Sequence, residues 1–392
     1  MTERGSSWLN FKSDKNKKCF AGAILYGSLT LWYCKLKVKT LKRSTELLFL
    51  LLVSAGLVYN ELLLYGITQG YNQFKIIVKA KPINEILADE NFPDSLKQKL
   101  RLIEEIRQFA FDSLELNHAL NYTTFYDQQG KQLISLVTAC ESYSFKEKQW
   151  WFPVLGNVSY KGFFNKEKAE REAAGLLQQG YDVDIGGVGG WSTLDWFKDP
   201  VLSGMLKRSE GGLSNLIIHE LTHGTLYVKD SVSFNENLAS FIGHKGALRF
   251  LKIHFGDSSV EYRTYINKRA DEKLFNEYML KSKHRLDSLY KTFHPHPSEG
   301  FKPSEGLTDS EKDTLKSKLI REIVNGVDSL PLYNKTLYKS ISAKALGSKN
   351  AFFVSFQQYD SRQEEFEKEF KEKFNSDIKK YLEYYKGRYP SL

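Results

Sequence analysis

Residues 219–223, His-Glu-Leu-Thr-His, restrict what this chain can fold into more than any other stretch. Two histidines four positions apart lie on the same face of a helix, so His219 and His223 can hold one metal ion through their imidazoles. Glu220, which lies between them, can polarise a water at that ion. The alternative is a pair of packed histidines on an ordinary helix. The pattern favours a helix that carries a zinc site.

The sequence before this motif is typical of a buried helix. Gly211 and Gly212 mark a preceding loop, and residues 214–218 give a polar start followed by an apolar run. The motif therefore lies where a buried helix is expected.

A catalytic zinc site takes three protein ligands and leaves one position for water, so a third donor is required. Glu236 opens a second apolar-periodic helix, predicted over residues 234–251. Small residues on its face, among them Ser240 and Gly243, would let it approach the first helix closely. Asp230, the rival ligand, lies between the helices and is typical of a turn or cap. The sequence favours Glu236.

The segments that resemble a known family are residues 151–164, 180–183, 187–197 and 219–243. They are similar to the bacterial putative zinc aminopeptidase family, and the similarity covers about residues 65–251 and continues more weakly to the C-terminus. The resemblance implies a zincin peptidase with one zinc ion per chain. It implies His219, His223 and Glu236 as ligands and Glu220 as the general base. The interval from His223 to Glu236 is shorter than in the better-known glutamate zincins.

The glycines within residues 186–190 do not form a phosphate loop, because no Gly-Lys-Ser or Gly-Lys-Thr follows them. In zincins an edge strand beside the metal binds the peptide by main-chain pairing. The candidate substrate-binding residues are Val188, Gly189, Gly190, Trp191 and Ser192. The alternative is a sheet bend that packs Trp191 and Trp196 into the core.

Two tyrosines are candidates for stabilising the oxyanion of the reaction. Tyr227 lies four residues after His223 on the same helical face, and Tyr160 lies in an aromatic strand punctuated by glycines. The alternative for a tyrosine at such a spacing is packing against the neighbouring helix. Both are catalytic candidates in addition to Glu220.

These patterns predict an α+β fold: a helix-rich, zincin-like metallopeptidase domain over residues 68–392, with a small sheet beside the helix of the His-Glu motif. Residues 81–116 have helical apolar spacing. Aromatic and apolar residues spaced by fours predict one amphipathic C-terminal helix, namely Phe366, Phe370, Phe374 and Ile378.

The net charge of +9 is concentrated at the N-terminus. Residues 1–43 carry ten Lys or Arg and two Asp or Glu, which leaves about +1 for the other residues of the chain. Outside the N-terminus the protein therefore has no excess of positive charge that would indicate binding to nucleic acid.

Residues 44–67 follow this basic segment and predict a signal-anchor helix. Residues 47–59 are an unbroken apolar or small run, and continuing to residue 65 reaches about the length that a bilayer demands. Cleavage after Gly56, which stands where many relatives carry a lipoprotein cysteine, and a buried soluble helix are the alternatives. Residues 20–34 are a second apolar stretch, so a membrane hairpin of two helices is a further alternative. Basic residues 35–43 should stay in the cytoplasm, which places the catalytic domain outside the cell membrane.

The three cysteines give no disulfide framework, because Cys19 and Cys34 lie in or beside the apolar N-terminal region. Cys140 is expected to be a free, buried thiol. The function expected is a membrane-anchored zinc metallopeptidase that acts on peptides, an aminopeptidase by resemblance. The alternative is a non-catalytic envelope protein that retains the fold for structural or partner-binding purposes.

Overall fold

The computed structural model describes residues 60–152, 156–187, 198–229, 231–293, 307–356 and 362–389. The α-helices of this part are, in chain order, α1 (Asn60–Lys79), α2 (Ile83–Ala88), α3 (Asp94–Leu114), α4 (Lys166–Gln178), α5 (Glu210–His223), α6 (Val232–His254), α7 (Val260–Lys291), α8 (Asp309–Gly326), α9 (Lys335–Ala343), α10 (Ala345–Ser348), α11 (Asn350–Val354), α12 (Gln363–Phe374) and α13 (Ile378–Arg388). Short 3-10 turns are formed by Met205–Lys207 and Val327–Ser329.

The strands are short and form small sheets. They are β1 (Lys81–Pro82), β2 (Thr124–Tyr126), β3 (Ser135–Glu141), β4 (Trp150–Phe152), β5 (Gly156–Val158), β6 (Tyr160–Phe163), β7 (Tyr181–Gly187) and β8 (Val201–Leu202). One sheet has the order β6-β3-β7 with both pairs antiparallel. Another has the order β1-β2-β8, and β4 pairs with β5 alone. The helix-rich α+β class predicted from the sequence is confirmed.

Two hydrophobic clusters organise the helices. The first contains the apolar faces of α3, α5, α6, α12 and α13, with Leu100, Ile217 and Phe241 among its buried members. The second gathers α8, α9 and α11 around the C-terminal half of α7, with Leu286 and Phe353 at its centre. Helix α7, about 48 Å long at the helical rise, contributes to both.

Helices α5 and α6 lie in unusually close contact at Gly243. A Cβ added there would lie 2.9 Å from the backbone oxygen of Asn215 and 3.1 Å from the Cβ of His219. Gly246, one turn later, has a similar contact with Ile218. The expectation that small residues let the second helix approach the first is confirmed, and α6 is longer at both ends than predicted.

Gly211 and Gly212 were predicted to lie in a loop, but they belong to the first turn of α5. The hydroxyl of Ser209 caps that turn by accepting from the N–H of Gly212. A Cβ at Gly211 would lie 2.7 Å from the Cβ of Tyr265, so the glycine makes room for α7. The prediction was wrong because close helix packing, rather than a turn, requires glycine here.

The single C-terminal helix predicted from the spacing of four is also wrong. The backbone of Asn375 and Ser376 is left-handed, with φ of 48° and 60°, and it ends α12. Asp377 then caps α13 by accepting from the N–H groups of Lys379 and Lys380. The aromatic period continues through the break because both helices pack on the same cluster. Residues 81–116 are likewise divided, into β1, α2 and α3.

A buried ion pair joins the β6-β3-β7 sheet to the second cluster. Lys316 of α8 donates to the carboxylate of Asp182 in β7, and both side chains are almost fully buried. Asn350 donates its backbone N–H to the same carboxylate at 3.0 Å. Nearby, Cys140 is free and buried as expected, and burial raises the pKa of its thiol to about 12. Polar contacts, rather than apolar packing alone, therefore fix this junction.

The chain divides into two compact units, residues 1–68 and 69–392. No helix among the described residues is both long and apolar enough to span a bilayer. Residues 44–59 of the expected anchor, the basic residues 1–43 and the apolar residues 20–34 lie outside the described part.

We predict that Gly243→Ala lowers the free energy of unfolding by about 1–3 kcal/mol, because the added methyl group must separate two packed helices. Urea unfolding measures this change. Gly175→Ala is the matched control, since Gly175 lies within α4 with no atom close to an added Cβ. That variant should unfold at the same or a higher urea concentration than the original protein. Equal midpoints for the two variants would contradict the close contact.

Candidate metal centre

The end of α5 and the beginning of α6 bring three ligand-type side chains together. His219 and His223 lie one turn apart at the C-terminal end of α5, and Glu236 lies in the first turns of α6. These three are the group of His, Cys, Asp and Glu residues within the described chain whose ligand atoms cluster as a metal site requires. The pairing of Glu236 with the two histidines predicted from the sequence is therefore present in the structure.

The distances within this triad suit a shared ion. The two Nε2 atoms are 3.2 Å apart, Oε2 of Glu236 lies 3.4 Å from His219 Nε2, and Oε1 lies 3.5 Å from His223 Nε2. Each histidine thus faces a different carboxylate oxygen, and one ligand atom from each residue lies within 4.8 Å of the others. A tetrahedral ion with bonds of about 2.1 Å would separate its ligand atoms by about 3.4 Å. The residues present therefore fit a zinc ion in both donor chemistry and spacing.

The carboxylate of Glu236 is held in the ionised form that a metal ligand needs. Burial alone would raise its pKa, but the hydrogen bonds and charges of His219 and His223 outweigh burial and hold the pKa well below its ordinary value. Exposure of the side chains increases from 4% at His223 through 17% at His219 to 37% at Glu236. Solvent therefore reaches the triad from the Glu236 side.

Asn235 fixes the loop that connects the two helices, and the sequence analysis missed it. Its buried side chain accepts from the N–H of Val228 at 2.9 Å and donates to the carbonyl of Val228 at 2.8 Å. This pair of bonds sets where α6 begins, and so where Glu236 stands. An asparagine directly before the candidate ligand was the available signal. Its partner seven residues earlier could not be identified from the pattern.

A polar network on α5, α6 and α7 lies behind His219. The hydroxyl of Tyr265 accepts from the Asn215 side chain at 2.7 Å and lies 3.1 Å from Nδ1 of His244. Ser240 is 3.5 Å from Nδ1 of His219. Nδ1 of His223 is buried and has no hydrogen-bond partner among the described residues. The network orients the helix face that carries His219.

Glu220 lies on α5 next to His219 and is partly exposed. Glu220 interacts electrostatically with Arg208. Burial lowers the pKa of the Arg208 guanidinium, and the negative charges of Glu272 and Glu220 oppose that lowering. The candidate base therefore shares its surroundings with a partly buried cation.

The remaining candidates differ in position. Tyr227 does not lie on the helical face as predicted, because α5 ends at His223 and Tyr227 belongs to the connection that follows. Its ring nevertheless lies edge-on to the ring of His223, with centroids 6.0 Å apart. Tyr160 is half-exposed in β6, opposite Thr138, and makes no hydrogen bond or ring contact with the triad in the described part of the chain. The structure thus brings Tyr227, but not Tyr160, into contact with a candidate ligand.

Two sets of candidates fall outside the described residues. They are the rival ligand Asp230 and the substrate-binding residues Val188, Gly189, Gly190, Trp191 and Ser192. Within the described chain, α5 packs mainly against the helices α6, α3 and α7. The edge strand expected beside the metal would contain residues 188–192, so it too lies outside this part.

Comparison with known proteins gives one family. The family model described as "Putative aminopeptidase" matches residues 64–387, which include the triad and Glu220. No curated protein and no solved structure matches the chain significantly.

We predict that His244→Asn makes stability less sensitive to acid. Burial, together with the charges of Arg269 and Lys245, lowers the pKa of His244 to about 3, against the opposing charge of Glu367. An unfolded histidine has a pKa of about 6.5, so between these values only the unfolded chain binds the proton. The stability that neutral His244 contributes is complete above about pH 6.5 and is lost as the pH falls toward 3.

Urea unfolding at a series of pH values measures this effect. Between about pH 4 and 6, the free energy of unfolding should fall less steeply in the variant, by up to about 1.4 kcal/mol per pH unit. Tyr265→Phe, which removes the hydroxyl and leaves the histidine, should retain a steep slope. An unchanged slope in His244→Asn would contradict a buried neutral histidine.

Proposed function

The chain belongs to the putative aminopeptidase family, and on that premise we propose that it is a zinc-dependent peptidase whose ion is held by His219, His223 and Glu236. The observation that carries the proposal is the clustering of these three side chains at separations that suit one tetrahedral ion. Three protein ligands leave a position for water, as in catalytic rather than structural zinc sites.

A bound zinc ion would act as a Lewis acid that activates water and polarises the peptide carbonyl. Glu220 would accept the proton of the attacking water at its carboxylate and deliver it to the departing amine. The hydroxyl of Tyr227 would donate to the oxyanion, a role supported by the contact of its ring with His223. Asn235 and the Tyr265 network would hold the two helices in register during this reaction.

The proposal extends to the fold, the substrate and the location. The helix pair of α5 and α6 is the arrangement expected of a glutamate zincin. Residues 188–192, which follow β7 directly, would bind the peptide main chain, and Tyr160 stays a weaker candidate for catalysis. Residues 44–67 would anchor the protein in the cell membrane with the domain of residues 68–392 outside.

We predict that Glu220→Gln lowers the peptidase rate by about 100- to 10,000-fold, since an amide cannot accept the proton. The full chain should still contain about one zinc ion, measured by elemental analysis of the purified protein. Glu236→Gln should lose both the zinc and the activity. The control is Glu210→Gln on the same helix, where Glu210 pairs with Lys99 away from the triad. Unchanged rates in zinc-loaded Glu220→Gln would instead favour a non-catalytic envelope protein.

We also predict exopeptidase action, which the description of the family implies. Peptides with a free amine should be cleaved one residue at a time from the N-terminus, and acetylation of that amine should abolish cleavage. Mass spectrometry of the products measures both. Amidation of the C-terminus is the control and should leave the rate nearly unchanged. Internal cleavage of acetylated peptides would show an endopeptidase instead.

A further inference from the structure

Helix α1 presents large apolar side chains to solvent. Tyr71, Phe74 and Val78 are each more than 60% exposed and recur at spacings of three and four, so they share one face. We call these three residues the apolar stripe. On the opposite face of the same helix Ile76 is buried in the first hydrophobic cluster. The helix is therefore already attached to the protein, and the stripe is a second apolar face.

The same spacing runs through the earlier part of the helix. Leu64 and Ile67, which belong to residues 1–68, are also more than 60% exposed. Scattered single apolar residues are normal on a surface, but three large ones on one helix face, as in the apolar stripe, mark an interaction site.

Two lysines of α1, Lys75 and Lys79, directly follow Phe74 and Val78 of the stripe in the sequence, and two more lie nearby. A cavity of about 590 Å³ next to the second half of α1 is lined by Lys75, Lys79, Lys81 and Lys131, among other residues. We call these four the lysine cluster. None of them forms an ion pair with a residue of the described chain. The cavity is also lined by one carboxylate, Asp127, so the cluster is a patch of net positive charge, and its members Lys75 and Lys79 lie on the helix that carries the apolar stripe.

We infer that the apolar stripe and the lysine cluster form a docking surface for an anionic lipid bilayer. A helix with an aromatic and aliphatic face flanked by lysines lies in the plane of the membrane interface, with its apolar side chains among the headgroups. The negative headgroups of anionic lipids would neutralise the positive charge of the lysines. The proposed anchor of residues 44–67 ends shortly before Tyr71, so the chain would leave the membrane where the apolar stripe begins.

A second copy of the chain is the competing occupant, because the spacing of three and four also suits a two-helix coiled coil. Charge argues against a parallel pair, which would bring the lysines of both copies together. The acidic residue of α1 is Glu61, which lies about 21 Å along the helix from Lys75. An anionic bilayer satisfies both the apolar face and the lysines.

The inference rests on the proposed membrane location but not on the peptidase activity, and photocrosslinking separates them. Full-length protein carrying p-benzoylphenylalanine in place of Phe74 is bound to vesicles of phosphatidylcholine and phosphatidylglycerol and irradiated. Flotation of the vesicles reports membrane attachment, and mass spectrometry identifies the crosslinked partner. The matched control carries the same probe in place of Ile253, which is 66% exposed on α6.

We expect lipid adducts at position 74 with at least a several-fold higher yield than at position 253. Omitting phosphatidylglycerol, or using Lys75→Glu together with Lys79→Glu, should reduce the yield at position 74. Protein that floats with the vesicles but gives no lipid adduct at position 74 would overturn the docking surface and leave the anchor standing. A crosslinked homodimer, an adduct to residues 47–59 of the same chain, or protein that does not float would also overturn it.

Discussion

The contact between α5 and α6 at Gly243 is the constraint on which the candidate site depends. Gly243 lies seven residues after Glu236 on α6 and touches the Cβ of His219 and the backbone of Asn215 on α5. Metal ligands must be placed within about 0.2 Å, whereas a side chain at this contact would displace the helices by more than that. The glycine therefore allows two residues on one helix and one on the next to form a single group of candidate ligands.

Hydrogen bonds complete what close packing begins. Packing fixes the distance between the helices but permits rotation and sliding, which directional polar bonds oppose. Asn235 ties the loop to the start of α6, and Tyr265 joins Asn215 of α5 to His244 of α6 from the side of α7. Buried polar groups are costly unless they are paired, so these side chains stabilise this arrangement and penalise others. Such pairing is what a preorganised metal site requires.

The part of the site that could be predicted is the part that depends on local spacing. His219 and His223 are one helical turn apart in any helix, and Glu236 follows after a connection short enough to restrict its position. Tyr265 is 50 residues from Asn215, and Lys316 is 134 residues from Asp182. Those pairs depend on where whole helices cross. The break at Asn375 was missed because the apolar period continues on both sides of a left-handed backbone.

The graded burial of the triad assigns different tasks to its members. His223 is nearly inaccessible, and its edge contact with Tyr227 closes that side of the site. Glu236 is the most exposed of the three, so a peptide would approach over the carboxylate rather than over the imidazoles. Glu220 lies on the same helix as the two histidines, and its charge acts on the partly buried Arg208. One glutamate thus faces the histidines, while the other, in the proposed reaction, would move the proton.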